Sequence, residues 1–457
     1  MMVDLTEPAT ADEAPAGYRM TELGLLPEEW RVAPLGDLAT IRGETINPSQ
    51  RPDLRYVGLE HLVSGDPRAR SWGDARQVRS AKSAFFPGDL LYGKLRPYLD
   101  KGAVAEWAGM SSTDILVVTP GDRIDSAFLG YVIHTRDFIQ HAIATTTGVN
   151  HPRTSWNAVR SFLLPLPPLP EQRAIAHVLS TVQRAREATE AVIAATRELK
   201  RSLMRHLFTY GPVPVDQVDG VRLKETEIGL VPEDWQLASL GELADIVYGV
   251  QAAVAHLKDQ STGLPILTNI NITTEGTLDL TTLRYYPLPA KKREALILRR
   301  GDILFNWRSG SEKHVGKTAV FDLPGEYTFS SFILRFRVRS GINELFLLYW
   351  LRYLRANGFF EQNRQQSSVN SVFNASHAAT IPLCLPVEVD QESIVHELRS
   401  LDRKLQVEEQ RRVALQAAYN TLLRELVAGS VRVDPTVAEV QVAEPAMAPG
   451  CSPHPAA

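Results

Sequence analysis

The sequence predicts an α+β protein in which one domain occurs twice, each copy followed by a long helix. Three observations carry this expectation. Residues 21–39 (T-E-L-G-L-L-P-E-E-W-R-V-A-P-L-G-D-L-A) return at 226–244 as T-E-I-G-L-V-P-E-D-W-Q-L-A-S-L-G-E-L-A, twelve of nineteen positions identical at an offset of 205. Later landmarks return in the same order: Gly88-Asp89-Leu90-Leu91 as Gly301-Asp302-Ile303-Leu304, and Phe128-Leu129 with Tyr131 as Phe346-Leu347 with Tyr349. Pro165, Gln172, Ile175, His177 and Leu179 come back as Pro382, Gln391, Ile394, His396 and Leu398. In each copy, short apolar runs broken by turn residues precede one segment of helical spacing, the order of an α+β domain rather than of alternating β-α units. Solenoid repeats run ~20–50 residues, so a period this long is a duplicated domain.

In chain order, residues 1–17 are rich in Ala, Pro, Glu and Thr and are expected to be disordered, as is 431–457 at the other end. The first domain is expected over 18–170. Its strands are expected around Phe85–Tyr92 and Ile115–Val118, with helical spacing from 125 to 143. It leaves through Leu164-Pro165-Leu166-Pro167-Pro168-Leu169-Pro170, where proline forbids helix and favours an extended path. A first helix follows over 171–210, then a linker at 211–222. The second domain, 223–388, repeats the order with strands at 303–307, 318–322 and 331–338 and a helix at 344–356. It exits through Ile381-Pro382-Leu383-Cys384-Leu385-Pro386 into a second helix over 389–430.

The first segment has no Pro or Gly from Glu171 to Phe208, and both are built from strong helix formers. In the first, a three-four spacing runs through Ile175, Val178, Val182, Ala185, Thr189, Val192, Thr196, Leu199 and Leu203. In the second it runs through Ile394, Leu398, Leu401, Leu405, Leu415, Tyr419, Leu422 and Leu426. At ~1.5 Å per residue each helix reaches roughly 57 Å, longer than a domain is wide. One narrow apolar stripe on such a helix wants a coiled-coil partner, and the other copy supplies one.

Composition narrows the function. Charged residues are 22% and apolar residues 44%, ordinary for a globular protein. No run approaches the ~18 apolar residues of a membrane span, and the acidic N-terminus is unlike a signal peptide. With only Cys384 and Cys451 there is no disulfide framework or cysteine zinc site, so the cytoplasm is the expected location. Gly310–Thr318 imitates a phosphate loop, but five residues separate Gly310 from Gly316 where four are needed, and Ala319-Val320-Phe321 reads as strand rather than helix. No dinucleotide fingerprint, metalloprotease helix or nucleophile elbow is present, and the histidines lack metal-ligand spacing. No catalytic centre and no cofactor are expected in this chain.

What remains is charge in two matched places. Arg68, Arg70, Arg76, Arg79, Lys82, Lys94 and Arg96 face only Asp74 and Asp89 between 68 and 96. Arg284, Lys291, Lys292, Arg293, Arg299, Arg300, Arg308, Lys313 and Lys317 face Glu294, Asp302 and Glu312 between 284 and 317. Both clusters bracket the repeated Gly-Asp-hydrophobic-Leu signature. Arginine suits bidentate contact with guanine edges and with phosphates. A polar loop precedes each proline exit: Thr145–Trp156, with Asn150 and Arg153, and Gln365–Asn374, with Asn370 and Asn374. Such side chains pair with base edges, although polar loops also satisfy their own turns. A net charge of −4 argues against bulk electrostatic binding of nucleic acid by the chain alone.

The repeated L-P-x-x-W…L-G-[DE]-L-A opening, the G-D-[IL]-L centre, the L-P-L-P-P-L-P-E-Q-R-x-I exit and the helix after it together resemble the specificity subunit of Type I restriction-modification systems, over roughly 18–430. That resemblance implies two target-recognition domains, each binding half of a bipartite site on double-stranded DNA. It also implies an antiparallel coiled coil that sets the half-site spacing and docks two methyltransferase subunits. A motor-nuclease (restriction) subunit would complete the complex, with S-adenosylmethionine, ATP and Mg on the partner subunits. Carried onto this sequence, it makes Arg76, Arg79, Lys82, Lys94, Arg96, Asn150 and Arg153 the DNA-facing candidates of the first copy. Lys292, Arg293, Arg308, Lys313, Lys317, Asn370 and Asn374 are those of the second. Ile175, Val182, Val192, Leu199, Leu203, Ile394, Leu398, Leu401, Leu405, Leu415 and Leu422 would form the coiled-coil seam. The second exit, Leu385-Pro386-Val387-Glu388-Val389-Asp390-Gln391, is looser than the first. The alternative from another class is a duplicated protein-protein interaction scaffold that reads no DNA sequence.

Overall fold

The structure, a computed structural model, describes residues 14–252, 263–309, 314–363, 365–366 and 371–438. Residues 1–13 and 439–457 of the expected tails, Cys451, Lys313 and Asn370 lie outside the described residues. The chain divides into two compact units, Met1–Thr189 with Arg411–Ala457, and Glu190–Gln410. The division falls inside both long helices, Leu169–Tyr210 and Glu388–Val427. Each unit therefore holds one domain and half of each helix, instead of a domain beside a separate spacer.

In the first unit an antiparallel sheet runs in the order Gly102–Val104, Leu90–Gly93, Ile115–Pro120, Ala39–Ile41. In the second unit the corresponding order is Thr318–Val320, Ile303–Asn306, Ile333–Val338, Ala244–Tyr248. Register matches as well: Val118 lies opposite Leu90, as Phe336 lies opposite Ile303. A second sheet accompanies each, five-stranded in the first unit and three-stranded in the second, and each contains one parallel pair. The expected helix over 125–143 is two helices, Ser126–Val132 and Arg136–Ala144, because Thr135 turns the chain and its side chain caps the second. Its counterpart Glu344–Ala356 is continuous.

The repeated residues are the ones that fasten the scaffold. Asp89 is almost fully buried and accepts from Arg42 Nε (2.8 Å) and Nη2 (2.9 Å), the Phe86 amide (2.8 Å) and the Thr119 hydroxyl (2.8 Å). Asp302 accepts from Arg337 Nε and Nη2 (2.7 Å each) and the Arg299 amide (2.7 Å). Each carboxylate thus closes the turn before its strand and anchors an arginine, and its burial is tolerable because its lone pairs are filled. Gln172 accepts from the Asp125 amide (2.8 Å) and donates to Pro167 O (2.9 Å) and Arg123 O (3.1 Å). Gln391 does the same with the Asn343 amide (2.9 Å), Pro386 O (3.0 Å) and Gly341 O (3.3 Å). One glutamine therefore ties the proline exit to the start of the domain helix in both copies. The exit strands Leu163–Leu166 and Pro382–Leu385 pair with Arg31–Pro34 and Gln236–Ser239, just after the repeated tryptophans.

The long helices run antiparallel within each unit. In the first, Arg432 binds Glu171 (2.6 Å), while Arg186 lies over the Tyr419 ring (5.3 Å). In the second, Arg197 bonds Glu409 (2.9 Å) and Lys200 bonds Asp402. Each ends on a glycine in the left-handed region, Gly211 (φ +80°) and Gly429 (φ +71°), which a side chain would strain. Gly429 meets Trp30 and Pro27; Gly211 meets Trp235 and Pro232. The opening motif L-P-x-x-W is thus the seat for a helix end. Trp30, fully buried, donates to Glu171 (2.9 Å).

Most of the expected seam is inward. Ile175, Ile394 and Leu398 are fully buried, and Val182, Leu203, Leu401, Leu405, Leu415 and Leu422 are half-buried. Val192 and Leu199 are corrections: they are 37% and 56% exposed. The inward positions there are Ile193 and Lys200, one residue along. Lys200 lays its stem in the seam and carries its ammonium to Asp402, so a lysine occupies the place that apolarity alone assigned to the adjacent leucine.

Candidate nucleic-acid interface

Just past the signature strand of each copy the chain leaves the main sheet and pairs with the polar loop. In the first unit the Lys94 amide donates to Asp114 O (2.9 Å), the Arg96 amide to Pro152 O (2.8 Å) and the Thr154 amide to Lys94 O (3.0 Å). Thr147 and Arg153 then exchange amide bonds (2.9 and 3.0 Å). In the second unit Arg308–Ser309 pairs antiparallel with Ser371–Val372, which pairs with Gln365–Gln366. The Phe373 amide donates to Trp307 O (2.8 Å). One end of each basic cluster and the polar loop, separate in sequence, therefore share an edge in each copy, held by single bridges in the first and three-stranded in the second.

Several candidates converge on these edges. Lys94, Arg96 and Arg153 share the first, with Asn150 exposed in its loop. Arg153 holds Asp114 (2.9 Å), and that bond raises its pKa, so one charge is partly offset. Arg308 sits on the second edge, its guanidinium 5.5 Å from the Phe332 ring centre. Arg76 and Arg79 are exposed but lie beside the five-stranded sheet, and Lys292 is exposed on a short turn, 290–292.

Four candidates are engaged by other residues of the chain, and two of them are buried. Lys82 is 7% exposed and its ammonium bonds Ser80 O (3.0 Å) and Oγ (2.5 Å). Lys317 is 5% exposed, bonds Asn269 O (3.0 Å) and Ile272 O (2.5 Å), and burial lowers its pKa. Arg293 is ion-paired with Glu326. Asn374 caps a short helix, accepting from the His377 amide (3.1 Å). Lys82, Lys317 and Asn374 serve the fold and drop out of the interface set, while Arg293 stays partly exposed in a surface ion pair. Counting charge could not separate them from Lys94, because their partners are carbonyls or distant residues. Thr147, within the candidate loop, pairs with Arg153, and nothing local in the sequence marks that partner.

No helix among the described residues is long and apolar enough to cross a membrane. Among the same residues no group of three or more His, Cys, Asp or Glu could hold a metal.

A family described as "Type I restriction modification DNA specificity domain" matches residues 232–417. The type I restriction enzyme MjaVIII specificity subunit of Methanocaldococcus jannaschii is 22% identical over 434 residues, covering 89% of this chain and 94% of that protein. The type I restriction enzyme EcoDI specificity subunit of Escherichia coli is 25% identical over 197 residues, covering 42% of this chain and 44% of its own. Among solved structures, the type I restriction-modification S subunit from M. genitalium superposes with a TM-score of 0.56 at 15% identity, covering 87% of this chain and 96% of that one. At that identity the likeness is one of fold.

Proposed function

We propose that the chain, whose residues 232–417 match the type I restriction modification DNA specificity domain, is a specificity subunit in which each of two domains reads one half of a bipartite DNA site. The observation that carries this is the shared edge: a fixed scaffold brings basic and polar side chains together at the same place twice, with different residues each time. Backbone amides set the edge, and the side chains on it differ between copies, so the two half-sites are unlike. Phosphate contacts position a protein on a duplex and base contacts specify sequence, so few residues suffice and a net charge of −4 is no obstacle. Methyltransferase and motor-nuclease partners supply further phosphate contacts, and S-adenosylmethionine, ATP and Mg are theirs to bind. The chain itself is a non-catalytic subunit that works in the cytoplasm, its coiled coil setting the half-site spacing and docking two methyltransferase subunits.

The test is to co-express the chain with its methyltransferase and sequence the methylated members of a randomised duplex library. Two short unlike motifs at one fixed spacing are expected. Methylation without sequence preference would favour a protein-protein scaffold instead.

A further inference from the structure

The turn that follows the first edge is held in a conformation its sequence does not favour. Arg96 and Asp100 both lie in the left-handed region (φ 51° and 50°), the only described non-glycine residues that do. Arg96 also precedes Pro97, a position that normally drives a residue to extended backbone. Such conformations persist only where the surroundings over-determine them, and they gather at functional sites. Here the surroundings are specific. The Arg96 amide is pinned to Pro152 O (2.8 Å), and the Asp100 carbonyl accepts from the Gly65 amide (2.9 Å). The Asp100 carboxylate meets buried His134 Nδ1 (2.6 Å), whose Nε2 faces Gly102 O (3.2 Å). Pro97 is buried beneath the turn.

The pinned turn presents two apolar side chains outward. Tyr98 is 54% exposed and Leu99 40%, and Val149, in the polar loop of the same edge, is 97% exposed. They stand on an edge that carries Lys94, Arg96 and Arg153. Exposed apolar groups on an edge that also carries cations fit a ligand that is anionic outside and apolar within, which describes a nucleic-acid groove: phosphates at its walls, thymine methyls and base faces at its floor. The second copy has Trp307-Arg308-Ser309 after the equivalent strand, and Trp307 is half-buried with its indole N–H bonded to Ser331 O (2.8 Å).

We propose that Tyr98, with Leu99 next to it in the turn, is the apolar element by which the first domain selects a base step in its half-site, through contact and deformability rather than hydrogen bonding. This rests on the proposed function. A rigid turn matters to it, because a wedge that must be ordered on binding loses affinity to the ordering. Pyrimidine–purine steps unstack most readily, so one is expected opposite the turn.

The experiment compares the wild-type chain, Tyr98→Ala and Tyr98→Phe, each co-expressed with the methyltransferase, on the randomised library. Tyr98→Ala is expected to lower discrimination about tenfold at one or two adjacent positions of a single half-site, leaving the other half-site unchanged. Tyr98→Phe is expected to retain it, since the ring and not the hydroxyl makes the contact. A Tyr98→Ala chain that keeps the wild-type preference at every position overturns the wedge and leaves the two-domain reading standing. Loss spread evenly over both half-sites also overturns the wedge. A wild-type complex with no sequence preference overturns the proposed function and this inference with it.

Discussion

The two copies share the buried Asp and Gln that fasten the scaffold and differ along the edges that carry the candidate interface. Asp89 and Asp302 sit at one place in the sheet, yet Asp89 takes Arg42 and Thr119 while Asp302 takes Arg337, which stands at the position of Thr119 in the matched register. Gln172 and Gln391 make the same three bonds. On the edges the likeness ends: Lys94-Leu95-Arg96 and its strained turn stand in one copy, Trp307-Arg308-Ser309 in the other. Asp and Gln recur because buried polar atoms need partners with fixed geometry. Edge residues such as Arg96 and Arg308 are only half-buried, so they tolerate substitution better than the core does.

If the inward contacts are the invariant part, removing either carboxylate should have the largest effect on folding. Asp89→Ala and Asp302→Ala are each expected to cost about 3 kcal/mol, the low end for breaking a buried pair because each arginine keeps some solvent contact. Denaturant unfolding measures it, and losses under about 1 kcal/mol in both would mean that the shared signature is not a fastening.

A smaller effect tests the seam. Ile193→Ala is expected to destabilise by about 2 kcal/mol and Val192→Ala by less than about 0.5, since only the former is buried. The reverse order would restore the register that apolar spacing suggests.

The smallest effect sharpens the contrast between the helix contacts. Glu187 in the first unit is partly desolvated, which alone would raise its pKa, but bonds from Arg70 and Arg68 hold it below the usual carboxylate range. A depressed folded pKa adds stability above the unfolded carboxylate value of about 4.3 and loses it as pH falls toward the folded value. Glu187→Gln should therefore lower stability slightly at neutral pH, by a margin that shrinks to nothing in acid, and so flatten the acid limb of the stability profile. An unaltered acid limb would show that the two arginines contribute nothing there.

Much of this was legible in the sequence because duplication exposes constraint: the same Trp, Asp and Gln at matched places identify the fastening residues before any contact is known. Helix extents were legible too, since the absence of Pro and Gly marks them. The edges were not. Lys94 and Thr154 are far apart in the chain, and only the fold pairs them. Lys82 and Lys317 look like surface charge until their carbonyl partners appear. Lys200 entered the seam in place of Leu199 because a long stem buries while its charge reaches an acid, which a hydrophobicity pattern does not register.

The central claim is that each edge reads its own half-site. The direct measurement is the methylated-sequence profile of the randomised library for Arg96→Ala and for Arg308→Ala, each with the methyltransferase. A lost base contact relaxes one position by ~1–3 kcal/mol, whereas a lost phosphate contact weakens all sequences alike and flattens the salt slope. Arg96→Ala is predicted to relax one half-site and Arg308→Ala the other. Relaxation of the same half-site by both would contradict the account.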